Sequence, residues 1–322
     1  MKSYDLSVDA AQSGKRLDVF LAESGLELSK RKIRQVIDVG GVYVNRKRVR
    51  VASRQVTRGD KVRFEYNEHA LKQLKTQRPE FKANDILWSG DHVIAVNKPP
   101  GMAAQATKDQ SIMHVVPCLA ALLKELGRPH QKLLLAHRLD KETSGVLLTA
   151  EGTERATWLT EQFKQRLVEK TYLALCYGIP KQIEFTENAY LSEIDKRSGD
   201  VRAVRSGGRQ AMTRFKVLAM HKDLGVSLVA CYPHTGRSHQ IRVHLQINDL
   251  PIIGDKRYTT AGRKNLPSAL AELAAVHHFL HARALAFTPA PGAPRQVIKA
   301  PLPDRFAAFM QAIGFHGDSG EA

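Results

Sequence analysis

The chain has 322 residues, of which 43% are hydrophobic and 25% charged, proportions typical of a globular protein with room for a large domain and a small one. The charge is unbalanced, because 49 Lys and Arg stand against 32 Asp and Glu and leave a net charge of +17. Such a field favours a polyanionic partner, either a nucleic acid or an anionic membrane. No apolar run approaches the roughly 20 residues that span a bilayer, so nucleic acid is the stronger interpretation.

The cysteines and the first residues bear on the cellular compartment. Cys118, Cys176 and Cys231 are too far apart for a CxxC pair and too few for a disulfide framework. The first residues include Asp5 and Asp9 and lack the apolar segment of a signal peptide. We therefore expect a cytoplasmic protein. We also expect it to be a monomer that does not associate with membranes.

Residues 1–66 are predicted to form a small, basic α/β domain. An apolar stripe beginning at Leu17 indicates a short helix, and Ser29 can cap a second helix that ends at Gly40. Strands are predicted at 42–45 and after the Gly-Asp turn of 58–66.

Basic side chains crowd the start of the second helix and the hairpin that follows it. Cations at a helix start oppose the macrodipole, which is a small cost unless they are needed there. Binding of RNA phosphates and a merely solvated face are equally open interpretations for these residues: Lys30, Arg31, Lys32, Arg34, Arg46 and Arg48.

This basic segment carries a resemblance. The stretch 15–64 has an RLD start, a helix rich in Lys and Arg, a G-x-V-x-V-N strand and a late Gly-Asp turn. It resembles the small RNA-binding domain named after ribosomal protein S four. The resemblance implies binding to structured RNA.

The rest of the chain is predicted to be a linker over 67–84 and a larger domain over 85–322. Strands alternate with a few helices, and they follow one another as hairpins, as in the pair around Gly90-Asp91. Thr153 is expected to cap one helix, and 240–245 is expected to be a strand. The fold class is therefore α+β, with a mixed, largely antiparallel sheet and peripheral helices.

Four segments of the larger domain stand out: NKPPG (97–101), HRLDKETSG (137–145), KTY (170–172) and HTGRSHQIRVHL (234–245). Together they resemble the RluA-type pseudouridine synthases, and the resemblance runs through most of 85–303. It implies an enzyme that isomerises uridine to pseudouridine in RNA with a catalytic aspartate and without a cofactor.

The resemblance assigns catalytic roles to Asp140, Tyr172 and Arg242. By themselves, an aspartate in a loop more often bonds its own backbone, and a tyrosine in a strand is more often part of the core. In the family pattern, Asp140 acts as nucleophile or base, Tyr172 stacks on the target base and Arg242 holds the carboxylate.

Further residues are implied in substrate binding. Arg138 would fill the stack left by a flipped-out base, since a guanidinium stacks well. Lys98 is expected in a rigid turn that lines the cleft. The remaining binding residues lie in the catalytic motifs or beside them: His137, Lys170, Arg237, His239 and Gln240.

The sequence gives less support to other functions. His234, His239 and His244 recur every five residues, a spacing that brings all three together on neither a strand nor a helix, so no metal is predicted. No phosphate-binding loop or dinucleotide fingerprint occurs. Large-subunit ribosomal RNA is the preferred substrate. Transfer RNA, or a non-catalytic role in RNA binding and ribosome assembly, remains the alternative.

Overall fold

The computed structural model describes residues 2–49, 51–66, 80–106, 113–195, 198–259 and 266–315. The chain divides into two compact units, the smaller made of Met1–Arg78 with Asp195–Gly199 and the larger of the rest. Most of the predicted linker, residues 67–79, lies outside the described residues. Within the described ranges, no helix combines the length and the apolar character needed to cross a bilayer.

The smaller unit is a four-stranded antiparallel sheet in the order β1-β4-β2-β3, with two helices on one face. The helices pack against the face that carries Val62 and Phe64, and their buried residues include Phe20 and Ile33. Its elements are β1 (Lys2–Ser7), α1 (Leu17–Glu23), α2 (Lys30–Val39), β2 (Val42–Val44), β3 (Lys47–Arg48) and β4 (Lys61–Tyr66).

The predicted limits of α2 are confirmed. The Ser29 side chain accepts a hydrogen bond from the Lys32 backbone N–H, and Gly40 ends the helix in the left-handed region at φ 85°. Glycine suits this position because it has no Cβ to clash there.

The larger unit is built on a sheet whose main path runs β11-β10-β12-β13-β9-β14-β8-β6-β5, with β15 beside β14 and β7 beside β8. Every described pairing between two of these strands is antiparallel except the short β8–β14 contact. The strands are β5 (Ile86–Gly90), β6 (Val93–Lys98), β7 (Leu133–Leu135), β8 (Ser144–Glu151), β9 (Glu169–Tyr177), β10 (Glu184–Leu191), β11 (Ala203–Val204), β12 (Arg209–His221), β13 (Val226–Pro233), β14 (Leu280–Phe287) and β15 (Gln296–Lys299).

Helices lie at the periphery of this sheet and cover its apolar residues. This arrangement confirms the predicted fold class of a mixed, largely antiparallel sheet with peripheral helices. The α-helices described in this unit are α3 (Val115–Glu125), α4 (Thr153–Lys164), α5 (Gln240–Ile247), α6 (Ser268–Ala274) and α7 (Asp304–Ala312), and Ala83–Asp85 forms a 3₁₀ turn.

Two local predictions are wrong. Residues 240–245 form helix α5 rather than a strand. Their apolar residues alternate with Gln240, Arg242 and His244, which looked like a half-exposed strand. The three polar residues are in fact buried and bonded to the interior. Helix α4 is capped by Gly152, and Thr153 is its first helical residue.

Strand β14 holds the sheet together, because it lies between β8 and β9. Ala282 pairs with Gly145 of β8 on one side and with Tyr172 of β9 on the other. The loop that precedes β8 and the start of β9 are thereby placed next to each other, and both contribute to the site described below.

Candidate active site

A cleft of about 540 Å³ opens in the larger unit. This volume lies in the range of small-molecule sites and would admit one nucleoside. The walls come from the loop between β7 and β8, the end of α4, the start of β9, and the segment from Pro233 to Arg242 at the start of α5. The structure thus brings three of the four predicted motifs to one cavity.

Asp140 points a carboxylate into this cleft from the loop before β8. Its side chain is 19% exposed, and Oδ2 lies 3.0 Å from Nη1 of Arg242 and 3.9 Å from Nε2 of His239. Burial by itself would raise the pKa of Asp140, but His239 and the Arg242 guanidinium hold that pKa below its usual value. The carboxylate is therefore ionised at neutral pH, as a nucleophile or a base requires.

Arg242 is fixed from behind by a second carboxylate, Asp255. Nε and Nη2 of Arg242 donate to the two Asp255 oxygens at 2.7 and 2.9 Å, a bidentate pair, and the guanidinium lies over the Tyr258 ring. Asp255 is fully buried and also accepts hydrogen bonds from the backbone N–H groups of Arg257 and Tyr258. The Arg242 fork is thus oriented before any substrate arrives.

Sequence reasoning missed Asp255. Its local sequence, Gly-Asp after an apolar run, is also typical of a turn aspartate, so no local signal marks it as a partner of Arg242. The two residues are 13 positions apart, and the folding of α5 over the sheet brings them together.

His239 and Gln240 shape the start of α5. His239 has a left-handed backbone at φ 54°, and its Nδ1 lies 2.7 Å from the Tyr258 hydroxyl. Gln240 is buried and bonded at both ends of its amide, where Oε1 accepts from Thr235 and Nε2 donates to Thr213. Gln240 also lines the cleft, with its amide bonded to protein groups, and its contact with RNA stays a prediction.

Tyr172 lines the cleft from β9, opposite Cys231 of β13 and Ala282 of β14. Burial raises the pKa of its phenol, and the negative charge of Asp140 raises it further. The ring is therefore a neutral, flat surface close to the carboxylate. Such a surface suits stacking on a base.

The predicted basic residues stand around the mouth of the cleft. Arg138 is exposed beside Asp140, Nζ of Lys170 donates to the Thr235 carbonyl at 3.3 Å, and Nε of Arg237 donates to the Gln210 carbonyl at 3.1 Å. His137 lines the cleft and stacks on Phe163. The cleft thus combines one ionised acid with a cationic rim.

Lys98 does not line this cleft, and that prediction is corrected. Its side chain is fully buried, and Nζ donates to the carbonyls of Pro99, Met102 and Lys141. Burial lowers the pKa of Lys98 to about 7, although Glu142 and Asp140 favour its charged form. The Lys98 amine hydrogen-bonds both to the turn after β6 and to Lys141, the residue that follows Asp140. Lys98 therefore positions the loop that carries Asp140.

Replacing this amine with a side chain of similar length tests its positioning role. We expect Lys98→Met to lower the free energy of unfolding by about 3 kcal/mol, because three buried carbonyls lose their donor. Turnover should fall with it. Urea unfolding measures the first effect, with the exposed Lys141→Met as the matched control. A decrease of less than about 1 kcal/mol in the free energy of unfolding would contradict the positioning role of Lys98.

Three buried histidines make the larger unit sensitive to acid. Burial lowers the pKa of each of His244, His278 and His281 to about 4. Unfolded histidines bind protons near pH 6.5, so between pH 6.5 and 4 the unfolded chain carries more protons than the folded one. The free energy of unfolding should therefore fall with decreasing pH in this window, by about 1.4 kcal/mol per pH unit for each histidine.

Urea unfolding at several pH values between 7 and 4.5 measures this slope. His278→Asn should make it shallower by one histidine's share, whereas the exposed His130→Asn should leave it unchanged. An identical slope in wild type and His278→Asn would contradict the assignment.

The predicted cations of the smaller unit have unequal environments. Lys30 is exposed at the start of α2, and Arg46 occupies the tip of the β2–β3 hairpin with φ 64°. Arg34 is bonded to the buried Asp18 at 2.7 Å, and Arg48 donates to the Tyr43 hydroxyl. Lys32 is partly buried in the first turn of α2, and the side chain of Arg31 lies outside what the structure describes.

Within the described ranges, no three His, Cys, Asp or Glu side chains converge where a metal ion could be held. Of the three evenly spaced histidines, His234 is exposed on the cleft, His239 stands beside Asp140, and His244 is buried against Thr213.

Known protein families match parts of both units. The model of the RNA pseudouridylate synthase family matches residues 92–247, and that of the S4 domain matches residues 15–62. The chain belongs to the RNA pseudouridylate synthase family, and an RNA-binding domain precedes its catalytic part.

The chain is also similar to individual members of this family. It is 33% identical to the ribosomal large subunit pseudouridine synthase C of Vibrio vulnificus and 32% identical to that of Escherichia coli, in each case over 96% of both chains. Among solved structures, human RNA pseudouridylate synthase domain containing 4 superimposes with a TM-score of 0.59 at 28% identity, over 72% of this chain and 93% of the human one.

Proposed function

We propose that the protein isomerises specific uridines of large-subunit ribosomal RNA to pseudouridine, with Asp140 as the catalytic group. One observation carries the proposal: in a chain of this family, His239 and Arg242 hold Asp140 ionised in a cleft of nucleoside size. The relatives named for the large ribosomal subunit support the choice of RNA.

The reaction needs a base detached from its sugar and reattached through another atom. The bond between ribose C1′ and uracil N1 breaks, the uracil turns, C5 bonds to C1′, and the C5 proton moves to solvent while N1 gains one. Asp140 would attack the ribose or the base, or stabilise the sugar cation, and Arg242 keeps it anionic and aimed. Atoms and electrons balance without a cofactor.

The target uridine must leave its stack to reach Asp140. We assign Tyr172 to the face of the base, since it is a buried, neutral ring close to Asp140. Arg138 is exposed at the rim, where a guanidinium can fill the gap in the RNA stack. The rim cations Lys170 and Arg237 would bind the backbone, with His137 and His239 as walls around the base.

The two units would divide the work. We assign RNA affinity to residues 1–66, connected by 67–84 to a catalytic domain at 85–322. The exposed Lys30 and Arg46 are the first candidates for phosphate contacts. We expect a cytoplasmic monomer. Removal of residues 1–66 should weaken RNA binding and flatten its salt dependence, and unchanged values would contradict this division.

A pseudouridine map tests the activity. Wild type and Asp140→Asn are incubated with unmodified transcripts of large-subunit ribosomal RNA and transfer RNA, and carbodiimide-dependent reverse-transcription stops are read. Stops on ribosomal RNA with wild type alone are expected. Stops on transfer RNA alone would favour that substrate, and tight binding without stops would favour a non-catalytic RNA-binding protein.

A further inference from the structure

Two cations face the cleft without a carboxylate partner among the described residues. Arg166 follows the end of α4 and Lys170 is the second residue of β9, and both line the cavity that contains Asp140. The polar contact described for the Lys170 amine is the Thr235 carbonyl. Lys164, by contrast, is paired with Glu161 at 3.3 Å. Arg166 was not among the residues that the sequence singled out.

The backbone of Arg166 is in an unusual place for a side chain. It has φ 62°, in the left-handed region, and the N–H groups of Arg166 and Leu167 donate to the carbonyls of Phe163 and Gln162. These two bonds form a Schellman motif, whose left-handed position is usually glycine. An arginine there costs stability, and a strained residue at a cleft suggests a use for its side chain.

The two cations line the same cavity, so each contributes a positive charge to it. Burial lowers the pKa of Lys170 to about 8, and the charge of Arg166 contributes to that lowering. Folding thus holds like charges together with no anion between them in the described structure. An anionic group bound between them would relieve the repulsion and take hydrogen bonds from a guanidinium fork and an amine.

We propose that Arg166 and Lys170 form a phosphate subsite that binds the RNA backbone next to the target uridine. The inference rests on the proposed function, because a nucleotide whose base reaches Asp140 must leave its flanking phosphates at the cleft mouth. A guanidinium and an amine without carboxylate partners match a phosphodiester, which offers two unesterified oxygens and a single charge.

A structural role is the competing explanation. A cation at the end of α4 interacts favourably with the helix dipole, whatever the substrate. Arg166→Ala and Arg166→Gly separate the two roles, since both remove the charge but only glycine relieves the left-handed strain. The exposed Lys124→Ala, in the last turn of α3 and outside the cleft, is the control for loss of one positive charge.

The assay uses the full chain and a large-subunit RNA stem-loop that wild type protects in footprinting. Both Arg166 variants should bind it about 10- to 100-fold more weakly, the effect of losing a charged hydrogen bond. Arg166→Gly should melt about 2–4 °C above Arg166→Ala. Lys124→Ala should bind like wild type. Unchanged RNA affinity in both Arg166 variants would overturn the subsite.

Neutral methylphosphonate linkages, placed one at a time around the target uridine, identify the phosphate. At one linkage wild type should lose affinity while Arg166→Ala loses no more, because that contact is already gone. If every methylphosphonate weakens binding by the same factor in Arg166→Ala as in wild type, the subsite is refuted. If one linkage weakens wild type but not Arg166→Ala, and wild type forms no pseudouridine in the same RNA, the proposed function is refuted and the subsite stands.

Discussion

Asp140→Asn is expected to reduce pseudouridine formation by roughly 10⁴-fold or more, the scale of losing a reacting group. The amide has the size of the carboxylate and can still accept a hydrogen bond from Arg242, but it carries no charge and is a poor nucleophile. Arg242 keeps its bidentate bonds to Asp255, so the free energy of unfolding should change by only about 1 kcal/mol.

Quantification of pseudouridine in single-turnover reactions measures the loss, and filter binding should show RNA affinity close to that of wild type. Asp304→Asn, the same change at an exposed position at the start of α7, serves as the matched control and should be fully active. Turnover of Asp140→Asn above about 1% of wild type would defeat the assignment.

Arg242→Met is expected to damage both activity and stability. Arg242 is 7% exposed and lies between Asp140 and Asp255, so its removal leaves two carboxylates facing each other without a counter-charge. Breaking such a buried network costs about 3–5 kcal/mol of unfolding free energy. The pKa of Asp140 should rise, and turnover should fall by about 10³-fold or more.

A second substitution separates the two effects. In Arg242→Met combined with Asp255→Asn, one uncompensated charge is gone and the backbone N–H groups keep their acceptor, so part of the lost stability should return while turnover stays low. Arg257→Met removes an exposed arginine paired with Asp200 and should cost less than about 1 kcal/mol. Wild-type turnover in Arg242→Met would show that Asp140 does not need Arg242 to hold it ionised and in place.

Much of the fold could be predicted because its signals are local. Ser29 and Gly40 mark the ends of α2, and the turn at Gly90-Asp91 separates β5 from β6. Helix α5 could not be predicted by pattern, since periodicity assumes that polar residues face water. Arg242 and His244 face the interior, where tertiary partners satisfy them.

The site was predicted only in part, for a similar reason. A motif resemblance led to Asp140, Tyr172 and Arg242, all of which line one cleft. It gave no indication of Asp255, whose importance lies in a contact across the fold, or of Arg166, whose unusual feature is a dihedral angle. It also misplaced Lys98, because a turn motif does not reveal whether its lysine points outward or into the protein.

The position of β14 sets the order in which the enzyme can be built during synthesis. This strand joins β8 to β9, yet it leaves the ribosome more than a hundred residues after either of them. Earlier hairpins can form as they emerge, but β8 and β9 stay unjoined until residues 280–287 have left the ribosome. A chain that stops before residue 280 lacks this strand and should therefore be inactive.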